Sequence, residues 1–172
     1  MSTPPFAPPS QDDVRVVSGQ LGRPARNVIG IAARCVCGAP TVVATRPRLD
    51  DGTPFPTLYY LSHPAATAAI STLEANGVMP ELAELLVGNV AEAYLVAHLA
   101  YITDRESIDV VPELVGISAG GMPTRVKCLH ALAGHALAAG PGANPIGDIA
   151  LARASWSPLI CECLDYSTAA GS

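Results

Sequence analysis

The spacing of apolar residues changes once along this chain, at Ser62-His63-Pro64. Before that point, apolar and β-branched residues come in short runs: 27–35, 41–45 and 57–61. These runs are divided by turn chemistry at Cys37-Gly38-Ala39-Pro40 and by a loop from Pro47 to Pro56 that holds Asp51-Gly52 and further prolines. After it, apolar residues recur at helical spacing between proline starts and glycine stops. Strands gathered first and helices afterwards do not make the βαβ alternation of a parallel sheet. The pattern specifies an α+β fold: a small antiparallel sheet of about three strands followed by three main helices packed on it.

The helices are expected from Pro64 to Asn76-Gly77, from Pro80 to about Arg105 with an interruption at Gly88-Asn89, and from Pro123 to Ala139. A short helical stretch follows the Asn144-Pro-Ile-Gly-Asp148 turn. Ahead of the sheet, Ser10 with Asp12 and Asp13 reads as the cap and acidic first turn of a short helix ending near Gly22. The organisation expected is a disordered arm over 1–10, one domain over 11–155 and a tail over 156–172.

Composition narrows the function classes. At 172 residues with 49% apolar content, the chain can bury a core without disulfides. Only 15% of residues are charged, so some apolar surface is available to a protein partner. Five cysteines, an odd number with no framework spacing, point to reduced thiols and a cytoplasmic setting. No signal sequence is expected, and no membrane span, because Asn89, Glu92 and His98 interrupt the best candidate stretch. Six arginines lie between Val14 and Leu49 without an acid, but the later chain is acidic and nucleic acid is not the expected partner. A small anionic ligand or a protein partner is.

Five segments occur in a fixed order: Arg34-Cys35-x-x-Gly38-x-Pro40, Asp51-Gly-Thr-Pro-Phe-Pro-Thr-Leu-Tyr-Tyr60, Leu73-Glu-x-x-Gly77, Ala119-Gly-Gly-Met-Pro-x-Arg-Val-Lys-Cys-Leu-His130 and Asn144-Pro-Ile-Gly-Asp148. In these the chain resembles an uncharacterised bacterial family, domain of unknown function 501, common in actinobacteria, over roughly residues 23–152. The resemblance implies no activity. Such proteins are often encoded beside a septum-formation protein, an enolase and an exopolyphosphatase, which associates the family with the envelope or with phosphate metabolism. Where the family has Thr-Cys-Pro, this chain has Ser62-His63-Pro64. Cysteine and histidine exchange more readily as zinc ligands than as nucleophiles or iron–sulfur ligands.

Three constellations carry chemistry. Cys35 and His63 end strands, and Cys128 lies near the start of the last long helix, so a zinc-type centre of Cys35, His63, Cys128 and His135 is expected. His130 is the other candidate for the fourth ligand. Seven helical residues return His135 to within about 20° of Cys128, about 10 Å further along the axis, whereas His130 lies nearly opposite Cys128 on a straight helix. Cys35-Val36-Cys37-Gly38 resembles a zinc knuckle with one spacer residue in place of two, and Cys161-Glu162-Cys163 is left outside the site. Gly120-Gly121, placed before a helix, with Arg125 and Lys127, forms a candidate anion site. Tyr94, His98, Tyr101 and Arg105 share one face of the longest helix while Leu95, Leu99 and Ile102 share another, and one of the two must meet the core. Arg34, His98 and Asp148 are the candidate catalytic side chains. Besides a metal site acting on a phosphorylated or carboxylated small molecule, two other readings stand: an interaction module for a division, envelope or phosphate-metabolism protein, and a thiol-dependent enzyme using Cys128.

Overall fold

The structure is a computed structural model that describes residues 6–166. Helix α1 (Gln11–Leu21) opens the fold. Ser10 and Asp13 close a reciprocal cap, each side chain accepting the other's backbone N–H at 3.0 and 2.9 Å, and Gly22 in a left-handed conformation ends the helix. Strands β1 (Val28–Arg34), β2 (Pro40–Thr45) and β3 (Tyr59–Leu61) form an antiparallel sheet in that order. In its register Val43 faces Ile31 on one side and Tyr60 on the other.

Helices cover both faces of this sheet, which is why every residue of central β2 is buried. Val43 and Ile31 meet Val17 of α1 on one face. Val42, Ala44, Tyr59 and Leu61 join the main core on the other, with Leu129, Leu132 and Ala133 of α5 (Leu129–Ala139). Burying each such Val or Leu contributes about 1.5–3 kcal/mol, so the sheet is held from both sides. Helix α5 lies directly on β3, and a Cβ added at Gly134 would stand 2.7 Å from the Tyr59 carbonyl oxygen. Only glycine fits that approach.

Helices α2 (Pro64–Ala75) and α6 (Pro145–Arg153) pack on α5 and on each other, α3 (Val78–Glu84) packs on α2 and α4 (Gly88–Glu106) on α6, and a short 3-10 turn spans Pro112–Leu114. The expected α+β class is the observed one, with three strands and six α-helices among the described residues. The long helix expected from Pro80 is two: α3 and α4 meet at an angle of 106°. No single described helix is long and apolar enough to cross a membrane, though this bent pair passes that test together by length and composition.

The polar face of α4 is the buried one. The Tyr101 hydroxyl accepts N–H bonds from Leu58 at 2.6 Å and Tyr59 at 3.3 Å, and the Tyr94 hydroxyl donates to the Arg125 carbonyl at 2.8 Å. Arg105, 1% exposed, donates to the carbonyls of Pro56, Leu114 and Ile117. These contacts satisfy loop backbone that water no longer reaches. Leu95, Val96 and Leu99 face outward, at 46%, 64% and 55% exposure.

The last long helix begins at Leu129, not Pro123. Residues 118–127 form a closed loop in which Gly120 and Gly121 adopt positive φ and the Gly120 carbonyl accepts the N–H groups of Lys127 at 2.8 Å and Cys128 at 3.4 Å. A side chain at Gly120 would meet Leu132 at 2.6 Å, so this loop packs on α5 in place of extending it. At the N-terminus, the expected disorder of residues 1–5 lies outside the described residues, while Ala7 pairs with Ile31 and Phe6 lies against Gly30. Of the tail expected over 156–172, residues 167–172 lie outside the described residues, and residues 156–166 fold back: Trp156 is buried, the Pro158 carbonyl accepts the Val36 N–H at 2.8 Å, and Tyr166 packs on Gly19.

Candidate metal centre

The β1–β2 hairpin turns through Cys35-Val36-Cys37-Gly38. The Cys35 N–H donates to the Ala39 carbonyl and the Gly38 N–H to the Cys35 carbonyl, both at 2.8 Å. Gly38 has φ of 92°, and Arg34 donates to its carbonyl at 2.9 Å. The turn sets two sulfurs one residue apart at the sheet's tip. The returning tail, pinned by the Val36–Pro158 bond, brings Cys161 and Cys163 to the same place. One sulfur from each of Cys35, Cys37, Cys161 and Cys163 lies within 4.8 Å of all the others, and Cys37 Sγ stands 3.3 Å from Cys163 Sγ.

A tetrahedral ion with metal–sulfur bonds of about 2.3 Å sets its sulfurs about 3.8 Å apart. The observed spacing brackets that value, so small side-chain rotations close the site on one ion. A four-iron cluster, in which each thiolate caps its own iron, needs sulfurs spread further. Burial, then hydrogen bonding from Cys37, Cys35 and Cys161, pushes the Cys163 thiol up. Four thiols this close ionise together only around a cation.

His63 stands beside them without belonging to the set of four. It caps α2, its Nδ1 accepting the Ala66 N–H at 3.4 Å. That contact assigns the neutral ring's proton to Nε2, which is 3.2 Å from Cys163 Sγ and donates to it. Burial lowers the His63 pKa and keeps the ring neutral. The Trp156 ring, its centroid 5.4 Å away, packs on the imidazole and holds the tail's root.

The four residues expected as one centre do not gather as one set of ligand atoms. Cys35 and His63 lie at the cluster just described. His135 is inside α5, stacked on Tyr59 at 5.7 Å and edge-on to Tyr101 at 5.1 Å, with its Nδ1 accepting from Asn144 at 3.2 Å. Burial lowers its pKa to about 4. Cys128 is the N-cap of α5, with extended backbone, so the seven-residue helical spacing to His135 does not apply. For the same reason Cys128 meets His130, and with Glu74 they form a second group whose ligand atoms lie within 4.8 Å of one another.

The expected anion site loses its premise, because Gly120-Gly121 does not open a helix; Arg125 and Lys127 are exposed on the loop that follows. The expected catalytic residues stand apart from one another. Arg34 makes a two-pronged pair with Asp13 at 2.7 and 2.9 Å, which ties α1 to the sheet. His98 hydrogen-bonds Ser118 at 2.7 Å, and Asp148 accepts the Gly142 N–H at 2.8 Å. Cys161 and Cys163 belong to the centre although the sequence expectation placed them outside it. The available signal was the equal spacing of two Cys-x-Cys pairs.

A family model described as "Protein of unknown function (DUF501)" matches residues 31–152. No curated protein and no solved structure matches the chain. Two of the four clustered cysteines, Cys161 and Cys163, lie beyond the matched span.

Proposed function

The chain belongs to the DUF501 family, and from that premise we propose that it is a cytosolic zinc protein whose ion is held by Cys35, Cys37, Cys161 and Cys163. The observation that carries this reading is the mutual spacing of the four sulfurs, within 4.8 Å. Four thiolates complete a tetrahedron and leave no position for substrate, as in structural zinc sites. The ion therefore acts as a clamp that fastens the tail to the hairpin tip. It is not a Lewis acid for a phosphorylated or carboxylated substrate. His63 serves as a hydrogen-bond donor to the Cys163 thiolate, an outer partner that spreads the ligand charge.

Elemental analysis of protein purified without an affinity tag tests this. One zinc per chain is expected, lost in the Cys161→Ser/Cys163→Ser double variant. A folded, metal-free parent protein rejects the reading, and one iron per chain replaces zinc with a rubredoxin-like centre.

A second reading, an interaction module, draws on the outward Leu95, Val96 and Leu99 of α4. A protein partner covering that face accounts for apolar side chains that the fold itself leaves in water. Its test is the sedimentation of the parent chain against a Leu95→Lys/Leu99→Lys variant, alone and with candidate division, envelope or phosphate-metabolism proteins. A partner whose complex survives the double change removes this face from consideration.

A further inference from the structure

We propose that Cys128, His130 and Glu74 form a separate nucleophilic site, in which Cys128 takes an acyl group from a small uncharged ester-like donor. The Cys128 thiol sits at the N-cap of an eleven-residue helix, where its side chain makes no capping hydrogen bond and the helix dipole favours negative charge. His130 is held at both nitrogens. Its Nδ1 is 3.3 Å from Glu74 Oε1, and its Nε2 is 3.1 Å from Ser71 Oγ and 3.3 Å from the Thr67 carbonyl oxygen. A ring with acceptors at both nitrogens is favoured as the imidazolium. Glu74 is fixed in turn, since Oε1 also accepts the Leu129 N–H at 2.8 Å. Sulfur, imidazole and carboxylate share one cluster within 4.8 Å. This is a thiol, a proton carrier and an orienting acid, the last two held by their own hydrogen bonds.

The pair is consistent electrostatically. The Cys128 pKa is lowered, first by the neighbouring His130 ring, and that of His130 is raised, first by the Cys128 sulfur, the two lying in one group within 4.8 Å. The titratable groups facing the thiol are Glu74 from α2, His130 from α5 and the Tyr101 hydroxyl from α4. Cys128 and His130 open into a cavity of about 250 Å³, walled by Tyr60, Leu61, Thr67 and Ala131 among others, with no Lys, Arg, Asp or Glu in its lining. That lining suits an uncharged, mostly apolar acyl group and offers an anionic donor no cation beyond His130 itself. In the step, the thiolate sulfur adds to the carbonyl carbon and the carbon–oxygen bond to the leaving alcohol breaks. The departing oxygen takes its proton from the His130 imidazolium. A Cys128 thioester, neutral His130 and free alcohol result.

The test uses p-nitrophenyl acetate with the full zinc-loaded chain. The expected result is one equivalent of p-nitrophenol released in a burst, with the acetyl group mapped by peptide mass to Cys128. The burst rate should keep its plateau well below the pH at which an ordinary thiol ionises. Cys128→Ser abolishes the burst. His130→Gln slows it at least tenfold at neutral pH and moves the profile upward. Glu74→Gln, which keeps an acceptor for the Leu129 N–H and so preserves the local fold, moves it too. Acetylation falling first on Cys37 or Cys161, or a Cys128 rate and pH midpoint equal to those of the urea-unfolded chain, overturns the proposal. So does zinc that survives Cys161→Ser/Cys163→Ser and is lost on Cys128→Ser, because the trio is then a metal site. The zinc clamp fails on elemental analysis and the nucleophile on acetyl mapping, so each can fall without the other.

Discussion

At the scale of single residues, histidine placement decides most of the chemistry. His63 is one hydrogen bond away from the proposed ion, so His63→Ala is expected to weaken zinc affinity about 10- to 100-fold. It should also destabilise α2 by roughly 1 kcal/mol through the lost cap. Competition with a chromophoric chelator and a melting curve separate the two effects. A loss of zinc as complete as that of Cys163→Ser would make His63 a ligand. His135 supplies a pH dependence. Its folded pKa of about 4 lies below the ordinary value of 6.5, so the unfolded chain binds the proton first. Stability is therefore full above pH 6.5 and falls as pH drops toward about 4, by about 3 kcal/mol from this residue. His135→Gln, which keeps an acceptor for Asn144, should flatten denaturant midpoints across that window; an unchanged slope contradicts the burial argument. The sequence showed both histidines to be special. It did not show their partners, because a ring's role follows from which nitrogen meets what, and Ala66 and Asn144 supply those contacts from backbone and from another element.

At the scale of elements, α4 inverts the ordinary pattern. Its tyrosines, His98 and Arg105 face the core because the loops before and after it leave backbone groups that only long polar side chains reach. Leu99→Lys is expected to change stability by less than about 0.5 kcal/mol. Tyr101→Phe should cost about 1–3 kcal/mol, since the buried Leu58 N–H then has no acceptor. Urea titrations of the two variants compare them directly, and equal costs would mean that the outer face packs against something in solution. The spacing made both faces legible but not their direction. A hydrophobicity rule would have chosen Leu95 and Leu99. Helix α5 starts at Leu129 and not at Pro123 for a related reason. Pro123 and Gly120-Gly121 are ordinary helix-opening residues, and it is the long-range contact with Leu132 that commits them to a loop. That one shift moved Cys128 from the helix body to its cap and exchanged His135 for His130 as its neighbour.

At the scale of the whole molecule, the α+β order was plain in the sequence because the change of period at residues 62–64 is sharp. The centre was half legible. Cys35 was marked by its strand end, while Cys161-Glu162-Cys163 carried no periodic or motif signal beyond its own spacing. Their meeting requires the tail to retrace the molecule, anchored by Trp156 and the Val36–Pro158 bond. The clamp makes a further outcome testable: chelation should expose the segment after Trp156 to protease while the sheet and helices stay protected, because only that segment is fastened by the ion. Cleavage inside the helices at an equal rate would mean that the metal supports the whole core. The most direct measurement is X-ray absorption at the zinc edge of untagged protein. Four sulfur neighbours at about 2.3 Å are expected. A shell containing nitrogen or oxygen donors, or no zinc bound to folded protein, would contradict a four-cysteine centre.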